Sequence, residues 1–387
     1  MNRLGVLAGG LVIGIALGIA AERHKHPTVD SVAPLTPVAA STPNTTQAAA
    51  SKPPVNFADE PLWAYGVTTV AKATDVFEPV PAPGRRVRPN EDPADQTKPR
   101  HVDGSSASYS VMDVRDSGHV IDWFPGDHPV MPEVVKRGPV GMGEVTRGCG
   151  SCHLPNGKGR PENAPAAGLT PAYFLRQMQD FRTGMRYSAD PRKNNTPMMI
   201  TVAASLTDEE LLASMKYFTA LKYDTPWIRV VESPMAPKLK EVNQLFIAIG
   251  KDLTEPINGR IVETPADERQ SEYLRNPHSG FVAYVPPGSL AKGKVLAENG
   301  GTRIEGTQVI SGRATACITC HGVDLRGVED VPAIAGRSAS YIARQLWDIQ
   351  QGTRNGAGVA LMKAAIAKLS PDDIVALSAY VASRSPR

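Results

Sequence analysis

Cys149-Gly150-Ser151-Cys152-His153 and, 168 positions further on, Cys317-Ile318-Thr319-Cys320-His321 contain all four cysteines of the 387-residue chain. C-x-x-C-H is the attachment signature of a covalent haem. On a helical turn, residues i and i+3 share a face, so both thiols reach the two vinyl groups of one porphyrin. The histidine that follows then lies under the iron as its proximal ligand. Zinc would need both cysteine pairs to converge and would leave two identically placed histidines without a task. A redox disulfide needs no histidine there. Two copies therefore predict two covalently attached haem c groups, on Cys149, Cys152 and His153 and on Cys317, Cys320 and His321.

The same offset extends beyond the signatures. Tyr173, Arg176, Gln177, Asp180, Gly184 and Arg186 recur as Tyr341, Arg344, Gln345, Asp348, Gly352 and Arg354. This is an internal duplication of a unit that builds one haem pocket. Apolar spacing predicts a helix after each signature, along Tyr173, Phe174, Met178 and Phe181 and along Tyr341, Ile342, Leu346 and Ile349. Thr170-Pro171 supplies an N-cap and a first-turn proline for the first. A second helix closes each unit, opened by the capping box Thr207-Asp-Glu-Glu210 and by a looser counterpart, Ser370-Pro-Asp-Asp373. There the offset has become 163, which also maps Met199 onto Met362 in the loop ahead of that helix. A thioether from this loop is a candidate sixth iron ligand, against the alternative of a gap-filling core methionine. Met362 has no rival in its loop, whereas Met199 has Met198 beside it and Met185 upstream.

The signatures, Pro332-x-Ile-x-Gly336, Tyr341-x-x-Arg-Gln-Leu346, Met362 and Leu369-Ser-Pro-Asp-Asp-Ile374 resemble class I c-type cytochromes of the dihaem cytochrome c4 type. The resemblance implies an all-α fold of two tandem cytochrome c domains, each around a low-spin iron with His/Met ligation: His153 with Met199, and His321 with Met362. It also implies a proline carbonyl that orients the proximal histidine through its other ring nitrogen, Pro332 for His321 and Pro165 for His153. In the first unit that proline stands one residue closer to its glycine, a departure from the pattern. The likeness covers residues 142–222 and 289–387, less than half of the chain.

The rest divides by composition. Leu4 to Ala21 are uncharged, and eighteen residues make roughly 27 Å of helix. This marks residues 1–26 as an export signal, either cleaved or kept as an inner-membrane anchor. The Pro/Ala/Thr/Ser-rich linker 27–56 favours an anchor, since a tether suits a retained segment. Residues 57–141 hold eleven prolines, which exclude long helices and predict an irregular extension. Its aromatics, among them Trp63, Tyr65, Phe77, Tyr109, Trp123 and Phe124, are expected to anchor it on the first haem unit. Residues 223–288 form a spacer, with Trp227 to Val231 as a short strand. His128, Met131 and the histidines at 24, 26, 101, 119 and 278 read as surface or packing residues.

A net charge of +3 is too small for a nucleic-acid-binding surface. Arg176 and Arg344, repeated on one helix face, are candidates to pair with haem propionates, against the alternative of a solvated face. No catalytic constellation is present, and an iron filled on both axial sides has no site for substrate. The expected function is outer-sphere electron transfer in the periplasm between redox protein partners, as a free carrier or as a subunit of a larger dehydrogenase or reductase complex. A dihaem peroxidase, which needs an opening sixth position, is disfavoured by the equivalent methionines.

Overall fold

The structure, a computed structural model, describes residues 55, 57–72, 74–75 and 91–386. Residues 1–26, all of the linker except residue 55, and Phe77 lie outside the described residues. Among the described residues no helix is long and apolar enough to cross a membrane.

Among its described residues the α-helices of the extension are four residues long, in keeping with its prolines: α1 (Leu62–Tyr65), α2 (Pro93–Gln96), α3 (Val111–Val114) and α4 (Glu133–Lys136). The first signature is the short helix α5 (Cys149–His153), followed by α6 (Pro171–Arg182), α7 (Asn195–Ser205) and α8 (Asp208–Ala220). Thr170 caps α6 by accepting from Tyr173 N–H, and Thr207 and Glu210 form a reciprocal box at the start of α8. Phe174, Met178 and Phe181 turn the buried face of α6 toward Tyr217 and Phe218 of α8.

The spacer is where the all-α expectation fails. It folds as β1 (Ile228–Glu232), β2 (Met235–Val242), β3 (Leu245–Pro256), β4 (Val262–Pro265) and β5 (Phe281–Val285). β5 lies between β1, parallel to it, and β4, antiparallel. β2 and β3 form a hairpin whose two turn residues, Asn243 and Gln244, both have positive φ, as a type I′ turn requires. The central strand Phe281-Val-Ala-Tyr-Val285 is mostly buried, and a run of this kind carries no alternation from which a strand can be told apart from a buried helix segment.

The second unit begins with α9 (Ser289–Asn299), then the hairpin β6 (Arg303–Glu305) and β7 (Gln308–Ile310), the signature helix α10 (Ile318–His321), α11 (Ala339–Gln350), α12 (Ala360–Ile366) and α13 (Pro371–Ser383). α9 crosses α13 at Gly293, where a Cβ would stand 2.0 Å from the Ala376 carbonyl oxygen. At α13 the looser counterpart is a full capping box: Ser370 Oγ accepts from Asp373 N–H, and the Asp373 carboxylate accepts from Ser370 N–H at 3.0 Å.

The extension does not simply rest on the first unit. Tyr65, fully buried, donates to Asp348 of α11 at 2.9 Å. Trp123 donates to the Leu274 carbonyl at 2.7 Å, and Phe124 stacks on His278, both in the spacer. Each ring is drawn to where apolar surface and an acceptor coincide; for these three that means the second unit and the spacer.

Candidate haem sites

Both signatures present their thiols and imidazole from one helical turn, and the loops behind them repeat bond for bond. Gly159 N–H donates to the His153 carbonyl and Gly327 N–H to that of His321, each at 2.8 Å. These loops aim a carbonyl at each imidazole Nδ1: Ala164 O at 2.7 Å from His153 and Pro332 O at 2.8 Å from His321. The Pro165 expectation is thereby corrected. The acceptor is a backbone carbonyl, which any residue can supply, so position decides; the 168 offset carries Pro332 onto Ala164. Pro165 O instead accepts from Arg337 Nη1 at 2.9 Å. Burial pulls both imidazoles below their ordinary value against the bond to the carbonyl, and the nearby Arg186 and Arg354 charges lower them further. A carbonyl can only accept, so Nδ1–H of each ring donates to it and Nε2 is left for iron.

The rival chemistries fit poorly. Burial pushes Cys149 up to about 12 and Cys317 to about 11, the reverse of the depressed thiols of a redox disulfide. Among the described residues no three His, Cys, Asp or Glu side chains cluster as a metal site, so the cysteine pairs do not converge on zinc.

Met199 and Met362 lie in helices, α7 and α12, rather than in loops, half-buried against the core. Met185 is 40% exposed, and its carbonyl accepts from Asn355 N–H where the two units meet, an arrangement unsuited to an axial ligand.

Arg176 and Arg344 do not behave as a matched pair. Arg176 reaches across to Asp330 of the second unit, exposed. Arg344 is buried and donates to the carbonyls of Ala64 and Pro161. Two other repeated arginines, Arg186 and Arg354, occupy the junction. Their backbones form an antiparallel bridge, flanked by Tyr187 N–H to Thr353 O and Asn355 N–H to Met185 O. Arg186 donates to Gln177 and Gln345, and Arg354 to Gln345, Gln177 and Tyr173. Every member has its partner at the 168 offset, so the contact has the self-complementary form of a two-fold interface. Both guanidiniums are buried, among the described residues neither has a carboxylate within ion-pair distance, and Arg354 Nε is left without an acceptor. Two buried like charges balanced only by hydroxyl and amide oxygens are costly. Burial and the Arg354 charge lower the pKa of Arg186, and Tyr341, which burial alone would raise, is held below its usual range by both arginines. Such a site could take an anionic group, and a haem propionate would have the charge and oxygen acceptors for it. The sequence signal was the pairing of Arg186 with Arg354; what it lacked was any indication that both would be buried together.

The residues therefore fit haem c: thiols to hold it, a carbonyl-oriented imidazole to ligate it, and paired cations for its propionates. Comparison with known proteins agrees. The cytochrome c family profile matches residues 305–385. Cytochrome c4 of Azotobacter vinelandii is 25% identical over 238 residues, covering 60% of this chain and 82% of that protein. A protein of Stutzerimonas stutzeri described as a thiosulfate dehydrogenase electron acceptor is also 25% identical, over 247 residues, covering 63% and 82%. The crystal structure of reduced recombinant cytochrome c4 from Pseudomonas stutzeri superposes with a TM-score of 0.37 at 23% identity, covering 61% of this chain and 93% of that one. With its haem-binding unit duplicated and residues 305–385 matching the cytochrome c family, the chain is cytochrome c4-like.

Proposed function

We propose that the protein is an exported dihaem cytochrome that passes single electrons between two haem c groups and on to redox protein partners in the periplasm. The observation that carries this reading is the Arg186/Arg354 junction, which ties the two haem-binding units together through side chains repeated in both. Haem supplies the one-electron couple; the chain's own residues set how it is used. His153 and His321, each oriented by its carbonyl, would ligate the iron, with Met199 and Met362 as its second protein ligands, which would leave no position for substrate. Arg186 and Arg354 bind propionates of both groups and hold the units in register.

A buried cation favours the reduced, less positive iron, so Arg354→Gln lowers both haem potentials. A charge within ~10 Å at an effective dielectric of ~20 is worth about 1.7 kcal/mol, tens of millivolts. Spectroelectrochemical titration of the holoprotein reads both couples; a shift confined to one of them would count against a shared site.

A second reading, the electron-accepting subunit of a dehydrogenase complex, draws support from the likeness to a protein described as a thiosulfate dehydrogenase electron acceptor. Isolation from native membranes separates the two, since a subunit copurifies with its enzyme and a carrier comes alone. A high-spin haem in the resting or half-reduced spectrum would favour a peroxidase over both.

A further inference from the structure

The two signature helices share a sequence pattern but not an environment. The first lies under a roof made by the two segments outside the duplication. Gly148 N–H donates to Ser117 O at 2.9 Å, and Cys149 Sγ stands 3.2 Å from Val134 O. A Cβ added at Gly148 would meet the Lys136 carbonyl at 2.4 Å, and one at Gly150 would meet Val120 at 2.9 Å. From the spacer, Arg275 donates to Ser151 O and Asn156 donates to Pro277 O, each at 2.8 Å. Ser151 is buried as a result. At the matching positions of the second signature, Thr319 and Cys320 are exposed, and Val323 just beyond is 82% exposed. Among the described residues no hydrogen bond joins α10 to the extension or the spacer. Its surroundings are its own unit, through Thr315 N–H to Ala365 O of α12.

Thioether bonds hold the vinyl edge of a haem at its two cysteine sulfurs, so cover over those sulfurs is cover over that edge. The buried Arg186/Arg354 junction would take the opposite, propionate-bearing edge. Electron exchange between proteins falls exponentially with edge-to-edge distance; at the first signature, under the extension and spacer, Cys149 and Cys152 are both half-buried, whereas Cys320 of the second is exposed. We propose that the haem edge at Cys320 is the single port of the protein, and that the haem on Cys149 and Cys152 is a closed site that exchanges electrons only with the port haem. This rests on the dihaem relay proposed above.

A single port before a closed site lets one docked partner deliver two electrons in turn. The first reduces the port iron from ferric to ferrous; that iron then reduces the closed ferric iron and is ferric again. The second electron reduces the port once more, so two ferrous irons balance two electrons lost by the partner. Such an acceptor suits a dehydrogenase whose substrate oxidation releases two electrons, provided that the closed haem's potential is no lower than that of the port.

Two measurements on the ferric holoprotein test this. In proton NMR with a neutral gadolinium chelate, one set of hyperfine-shifted haem methyl resonances should broaden and the other stay sharp, with Val323→Glu moving the broadened set. In stopped-flow reduction by hexaammineruthenium(II), one haem should fill in proportion to reagent concentration and the other in a first-order phase independent of it. Thr319→Glu, at an exposed position, should raise the bimolecular constant about threefold at low ionic strength and leave the first-order one unchanged. Equal broadening of both sets, two concentration-dependent phases, or no effect of Thr319→Glu would each overturn the port. A haem-to-chain ratio of one would overturn the dihaem reading, and the port with it; a ratio of two with equal broadening overturns the port alone.

Discussion

At the scale of single residues, chemistry was legible wherever a side chain must supply an atom of a particular kind. Cysteine sulfur and histidine nitrogen have no substitutes in haem attachment, and the C-x-x-C-H spacing points to six residues for it. The Ala164 carbonyl was not legible, because a backbone oxygen leaves no trace in residue type and the adjacent Pro165 offered a false one. The methionine assignment is tested at this scale. Met362→Ala should leave haem attached through Cys317 and Cys320, lower the potential of the second centre and make it partly high-spin, read by absorption spectra and titration. Met199→Ala should do the same at the first centre, whereas Met198→Ala should not; unchanged spectra in the first two would refute Met ligation.

At the scale of elements, local rules predicted the helices that close each unit, because caps and apolar spacing are short-range. Asp373 shows how tertiary partners add to such a rule. Burial would raise its pKa, but Lys292 at 2.8 Å, the Ser370 N–H and hydroxyl, and Arg313 hold it down to about 2. A carboxylate depressed in the folded state contributes stability above its unfolded pKa of about 3.9, lost as pH falls toward 2. Asp373→Asn should therefore lower stability at pH 7 by about 1–2 kcal/mol, with the gap to wild type closing between pH 4 and 2 in denaturant titrations. A gap of constant size would assign the loss to packing alone. The spacer strands escaped the same local reading, since β5 has no exposed face to give it a period of two.

At the scale of the whole molecule, the extension and spacer change the protein from two linked haem units into one assembly. Residues around α1 sit at a buried charged junction. Burial, and then the Asp190 charge, raise Glu60 to about 7 against the Ala71 N–H and Arg192, and burial raises Asp348 to about 6 despite its bonds from Ala189 and Tyr65. Carboxylates raised on folding stabilise fully below their unfolded pKa and lose that contribution as pH rises through the folded value. Thermal stability should thus decline from about pH 4.5 to 7.5, and Glu60→Gln should flatten part of the decline; an unchanged slope would exclude Glu60 as its source. By itself, the sequence determined the cofactor, its attachment and the duplication, because covalent chemistry and short-range helix signals are written in residue type and spacing. Tertiary structure alone decided which carbonyl orients His153, that Arg186 and Arg354 share one buried junction, and that one signature is roofed while its copy is open. Those outcomes depend on which distant surfaces bury one another, and no local pattern encodes that.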